Sequence, residues 1–166
     1  MSDQTCLEFE KRLQEFDLSP TAGSFLKWLS TFTQIEPCIS TGLKRTSTSG
    51  DWALFGRYVV AAACHPSRTY TSTLCAVLAQ HSAPVNFEDI VEVLGIIGDP
   101  AALESIEETL TWEPAWDEYH QLAVKCVWAL EAIGTPQALT IVRHIAESRT
   151  DHVGTVAMQA LEAMDI

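Results

Sequence analysis

Val91-Glu92-Val93-Leu94-Gly95-Ile96-Ile97-Gly98-Asp99-Pro100-Ala101-Ala102-Leu103 returns as Val127-Trp128-Ala129-Leu130-Glu131-Ala132-Ile133-Gly134-Thr135-Pro136-Gln137-Ala138-Leu139. Seven of the 13 positions are identical, in a register of 36 residues. A shorter third copy follows, with Ala129-Leu130-Glu131-Ala132-Ile133 matched by Ala160-Leu161-Glu162-Ala163-Met164. Self-similarity at a period of roughly 20–50 residues marks stacked repeats, whose single units are too small to bury their own apolar faces. Such chains usually bind other macromolecules along an extended face instead of doing chemistry in a pocket.

Outward from the repeat, the pattern is that of paired helices. Ile90, Val93, Leu94 and Ile97 form an apolar stripe at helical spacing. Gly98-Asp99-Pro100 then breaks the helix: Gly suits the left-handed residue past a helix end, Asp caps the next helix, and Pro is tolerated at its first position. Leu103, Ile106 and Leu110 continue on the second helix. The next pair repeats the logic with a helix over Leu122–Ile133, a Gly134-Thr135-Pro136 turn, and a helix bearing Leu139, Val142 and Ile145. Leu122–Leu130 is apolar nearly all round, broken by Lys125, which predicts a helix sandwiched between neighbours. A last helix, opened by Asp151 and carrying Val153, Val156, Ala157, Ala160, Leu161 and Met164, is half a repeat.

The N-terminal half is helical and less regular. Cys6, Phe9, Leu13 and Phe16 make one stripe; Ser19-Pro20 opens a second helix with Phe25, Trp28, Leu29 and Phe32. Residues 36–50 are polar and rich in Ser, Thr and Gly, with Lys44 and Arg45 at their centre, and read as a loop. Helices are expected from Asp51 to about Cys64 and from Ser67 to about His81, and Asn86 reads as the cap of the first clear repeat helix. The expectation is a single all-α domain, 1–166, of about nine helices. Residues 1–85 form irregular hairpins, and 86–166 the repeats with a C-terminal half-repeat cap.

At 166 residues with 47% hydrophobic content, the chain is long enough for one real core. No apolar run approaches the ~18–20 residues of a membrane span, and the first residues lack a basic flank followed by an apolar stretch, so no secretory signal is read. Five scattered cysteines without a CxxC pair fit reduced thiols in a cytoplasmic protein. The charge is segregated. Residues 1–85 balance seven Lys/Arg with seven Asp/Glu, whereas residues 86–166 carry three against 15 and hold the whole net charge of −12. That field repels phosphate backbones and anionic lipid and attracts basic partners, so neither nucleic acid nor membrane is expected.

The L-x-x-I-G-[DT]-P-x-A-L pattern of Leu94–Leu103 and Leu130–Leu139 resembles HEAT-like repeats of the short bacterial kind, which include phycobilisome lyase subunits. The likeness covers about residues 86–166; the 51–81 pair has Cys64-His65-Pro66 where the repeats have Gly-x-Pro. It implies a right-handed α-solenoid of antiparallel helical hairpins. It fixes packing and turns and not a site.

The richest candidate contact surface is Trp112-Glu113-Pro114-Ala115-Trp116-Asp117-Glu118-Tyr119, preceded by Glu104, Glu107 and Glu108. Aromatics anchor protein interfaces, and adjacent carboxylates pair with a partner's Lys or Arg. The same residues also suit a plainer role, with Trp112 and Trp116 folded over the core and the acids solvated. Nothing points to catalysis. His65, His81, His120, His144 and His152 include no i, i+4 zinc pair and no cysteine at finger spacing, and there is no phosphate-binding glycine loop or nucleophile elbow. Lys44 and Arg45, with Arg57 and Arg68, make a local basic spot or neutralise acids within the stack. The expectation is a non-enzymatic, cofactor-free module that binds a basic protein. Its most concrete form resembles the small acidic HEAT-like immunity proteins that neutralise toxin domains such as nucleases. An adaptor or scaffold subunit is the alternative, and a bilin lyase or chaperone subunit a remoter one.

Overall fold

A computed structural model describes residues 3–16, 22–32 and 34–164. The described residues are all helical with no strand: α1 (Asp3–Glu15), α2 (Ala22–Leu29), α3 (Glu36–Ser49), α4 (Trp52–Cys64), α5 (Thr71–Leu78), α6 (Phe87–Ile97), α7 (Leu103–Thr111), α8 (Gln121–Ile133), α9 (Pro136–Ser148) and α10 (His152–Met164). Short 3₁₀ turns, Arg68–Tyr70 and Pro100–Ala102, lead into α5 and α7.

The two copies of the repeat fold alike because their punctuation is alike. Gly98 and Gly134 both sit past a helix end at φ 65° and 64°, a conformation that costs a residue with a Cβ. Each next segment is then capped from its own side chain. Asp99 accepts from the Ala101 amide, and Thr135 from the Ala138 amide. In the first copy Pro100 opens a 3₁₀ turn before the α-helix begins; in the second, Pro136 starts α9 directly. Asn86 and Asp151 cap α6 and α10 as the sequence predicts, accepting from the Glu88 and Asp89 amides and from the Gly154 amide; Asp51, expected inside its helix, caps α4 by accepting from the Leu54 amide.

α8 packs against α6, α7, α9 and α10, and α9 packs against α10. α6 and α8 approach closely at Gly95, where an added Cβ would stand 2.9 Å from the Cα of Ala129. One apolar core runs through all ten helices, from Phe9 in α1 to Ala160 in α10. At the N-terminal end the expected stripes meet each other. Phe9 stacks on Trp28 at 5.5 Å and meets Phe32 edge-on, and Phe16 contacts Phe25 and Trp28. The opening of α2 at Ser19-Pro20 falls outside the described residues.

The described helices number ten where about nine are expected, and three further expectations about segments and cysteines need correction. The 36–50 segment is a helix, α3, and not a loop. Its buried side is Cys38, Ile39, Gly42, Leu43 and Thr46, a helical stripe in which two members are not recognisably apolar. Its hydroxyls satisfy themselves against their own helix: Thr46 and Thr48 donate to the carbonyls of Gly42 and Lys44, four residues back. The α5 region is shorter than 67–81: it ends at Leu78, and His81 already has a left-handed φ of 49°. Finally, the cysteines are not all thiols. Cys6 of α1 and Cys38 of α3 form a disulfide across a sequence separation of 32, leaving Cys64, Cys75 and Cys126 free. With one pair bonded, the cysteines do not mark a reducing compartment. No helix among the described residues is long and apolar enough to cross a membrane.

Candidate interaction surface

The segment 112–120 joins α7 to α8, and its residues divide by task. Trp112 is half-buried. Its ring lies flat on His81 at 4.1 Å and meets Phe87, the first residue of α6, edge-on at 5.1 Å. Trp116 lies parallel to Phe87 at 6.5 Å and perpendicular to Trp112 at 6.1 Å, yet keeps 55% of its surface exposed. Tyr119 is 71% exposed. Thus Trp112 seals the core, and Trp116 and Tyr119 face outward. Residues 81–87 and Trp116 line an open groove of about 500 Å³ beside this cluster.

The carboxylates divide in the same way. Glu104, Glu107 and Glu108 are exposed along α7, and no salt bridge among the described residues reaches them. Glu118 is exposed too. Glu113 is 3.8 Å from the guanidinium of Arg149, whose firmer partner is Asp151. The hydrogen bonds from Arg149 hold the Asp151 carboxyl at about 2, below its ordinary range. Asp117 is internal to the architecture: its two oxygens accept from the Gln121 and Leu122 amides at 2.7 and 2.9 Å, at the start of α8. His120, at a left-handed φ of 54°, turns the chain into that helix.

Two basic residues of the N-terminal half, Arg45 and Arg57, are engaged within the fold. Arg45 bonds Glu10, which also accepts from the Tyr58 hydroxyl at 2.6 Å. Arg57 donates to the carbonyls of Leu13 and Phe16, closing the end of α1. Burial pushes the thiols of Cys64, Cys75 and Cys126 up. Among the described residues no three His, Cys, Asp or Glu side chains converge as metal ligands would.

A second exposed surface escaped the sequence reading. Trp128 of α8 and Ile96 of α6 are each 48% exposed, and α8 is therefore not sandwiched all round. Between them runs a groove of about 280 Å³ floored by Gly95, Ala129 and Ala132. Its mouth holds Lys125, bonded to Glu92 and 5.6 Å from the centre of the Trp128 ring. The repeat register carried a signal for this, since Trp128 falls opposite Glu92, a residue that belongs on a solvent face.

Compared with protein-family models, curated proteins and solved structures, the chain matches none.

Proposed function

We propose that this chain is a non-catalytic protein-binding module, built as a HEAT-like right-handed α-solenoid, whose acidic C-terminal half captures a basic partner. The helix contacts support such a stack, since α8 packs against α6, α7, α9 and α10, and α9 against α10. The observation that carries the reading is Trp116 and Tyr119, exposed in the connection between α7 and α8, with exposed Glu118 in the same connection and exposed Glu104, Glu107 and Glu108 on the preceding α7. Exposed aromatics give a partner apolar area to bury, and unpaired acids steer a basic surface towards it. Glu113, loosely held by Arg149, belongs to the rim of this contact, whereas Trp112 and Asp117 support it from within. The raised thiols also run against cysteine nucleophile chemistry, which needs a lowered pKa.

The most specific form of the reading is an immunity protein. An acidic wall fits the basic groove with which a nuclease holds its substrate, and steering raises association rates towards ~10⁸–10⁹ M⁻¹s⁻¹ at low salt, as capture of a toxin demands. A cytoplasmic site of action goes with this role; the Cys6–Cys38 bond would there be exposed to reduction.

The test is co-expression with the product of the adjacent reading frame. Protection of the host cell, with a complex that weakens steeply as salt rises, supports the immunity reading. Glu104→Lys with Glu107→Lys should then slow association, and Trp116→Ala should chiefly speed dissociation. A stable complex without protection would make the chain an adaptor subunit using the same surface. Binding unmoved by all of these replacements removes the proposed surface.

A further inference from the structure

Outward-facing positions on a packed helix are ordinarily polar, and two adjoining ones on α6 and α8 are not. Ile96 and Trp128 stand on neighbouring helices with about half of each side chain in water, on either side of a groove. The groove exists because its floor is small: Gly95 lets α6 approach the Ala129 backbone, and Ala132 extends the depression. An apolar trough rimmed by charge is the usual form of a protein contact site. Its volume, about 280 Å³, falls just short of the ~300–1,000 Å³ of small-molecule pockets and suits one large side chain.

Glu92 and Lys125 line the groove and bond each other. Asp89, exposed one turn before Glu92 on α6, lies on the same face of the helix, so two carboxylates stand beside one ammonium. Partial burial, and after it the charge of Glu92, hold the Asp89 carboxyl above its ordinary range. Lys125 lies near the Trp128 ring, so cations are already accommodated at this aromatic wall.

We propose that the α6–α8 groove is a docking socket for a basic amphipathic helix of a protein partner. The helix seats one large aliphatic or aromatic side chain between Ile96 and Trp128 and sets Lys or Arg side chains, a turn away, against Asp89 and Glu92. Helices recognised in grooves use this arrangement of an apolar anchor with charged neighbours at i+3 and i+4. The inference rests on the reading of the chain as a module for basic partners, but it concerns a different surface from Trp116 and Tyr119.

The two surfaces are separable by the indole N–H signals of a ¹⁵N-labelled chain. The probe is a synthetic helical peptide made only of Leu and Lys, with Leu along one face; an Ala/Lys helix of equal charge is the comparison. The Leu/Lys peptide should shift the Trp128 indole and the Gly95 and Ile96 amides saturably. The Ala/Lys peptide should bind about ten-fold more weakly, and Trp128→Ala should weaken the Leu/Lys peptide by about ten-fold or more. Ile96→Lys, placing like charge in the socket, should abolish the shifts while circular dichroism shows the helices intact. Four outcomes would overturn the proposal. If the Trp116 indole moves and that of Trp128 does not, the basic-partner reading survives without this socket. Equal binding of the two peptides would mean that charge acts alone. Seam shifts that appear on concentrating the chain by itself would make a second copy the occupant. Absence of shifts at either surface counts against both readings.

Discussion

Asp117 stands among carboxylates with which it shares charge but not purpose. Because both its oxygens accept backbone amides of α8, Asp117→Ala should lower stability by about 1–2 kcal/mol in urea unfolding. Glu118→Ala, at an exposed neighbour, should stay within about 0.5 kcal/mol of the parent. Asp151 yields a prediction in pH. Its carboxyl titrates at about 2 when folded, against an ordinary value of 3.8. It therefore binds fewer protons folded than unfolded, and its stabilising effect is complete above the ordinary value and lost as pH falls towards 2. Asp151→Asn should flatten the acid limb of the helix signal between those values and leave neutral-pH binding alone. The change should be modest, because this side chain is more than a third exposed and solvent screens the pair. The sequence showed that 112–119 unites aromatics with acids. Which of them support and which project was not legible, because that depends on His81 and Phe87, contributed from far along the chain.

At the level of elements, the α6–α8 contact is set by Gly95. A Cβ there meets the Ala129 backbone, which cannot rotate away, so Gly95→Ala should cost about 1–3 kcal/mol as the helices are pushed apart. Gly56 is its control. With nothing within 4 Å of an added Cβ, Gly56→Ala in α4 should gain a few tenths to about 1 kcal/mol from the lost freedom of the unfolded chain. α1 is held to α3 by the Cys6–Cys38 bond, and replacing both cysteines by Ser should lower stability by about 2–4 kcal/mol, read by urea unfolding with and without reductant. The repeat helices were legible because their stripes, caps and Gly-x-Pro turns all agree. α3 was hidden by its own composition. Ser and Thr favour turns when counted, yet here their hydroxyls bond carbonyls of the same helix, and Gly42 fills a buried position because the Tyr58 ring lies against it. The disulfide was illegible for a different reason: pairing follows the meeting of α1 and α3, which no spacing in the sequence encodes.

For the whole molecule, the decisive property is that the net charge of −12 resides entirely in residues 86–166 while the basic residues of the other half include Arg45 and Arg57, tied into the fold. An unneutralised field on one half steers partners to that half, and its reach contracts with the ~10 Å screening length at 0.1 M salt. That asymmetry was plain in the composition. The α6–α8 socket was marked only by the register match of Trp128 to Glu92, since Ile96 on a helix looks the same in sequence whether it faces the core or the solvent. The central claim, that the acidic helical half captures a basic protein through its exposed aromatics, is tested most directly by hydrogen exchange on the chain alone and in complex with a partner captured from its own cells. Slowed exchange in α7 and in residues 112–120, lost together with binding in Trp116→Ala, is the expected result. Protection confined to residues 1–85, with the C-terminal half exchanging as in the free chain, would contradict it.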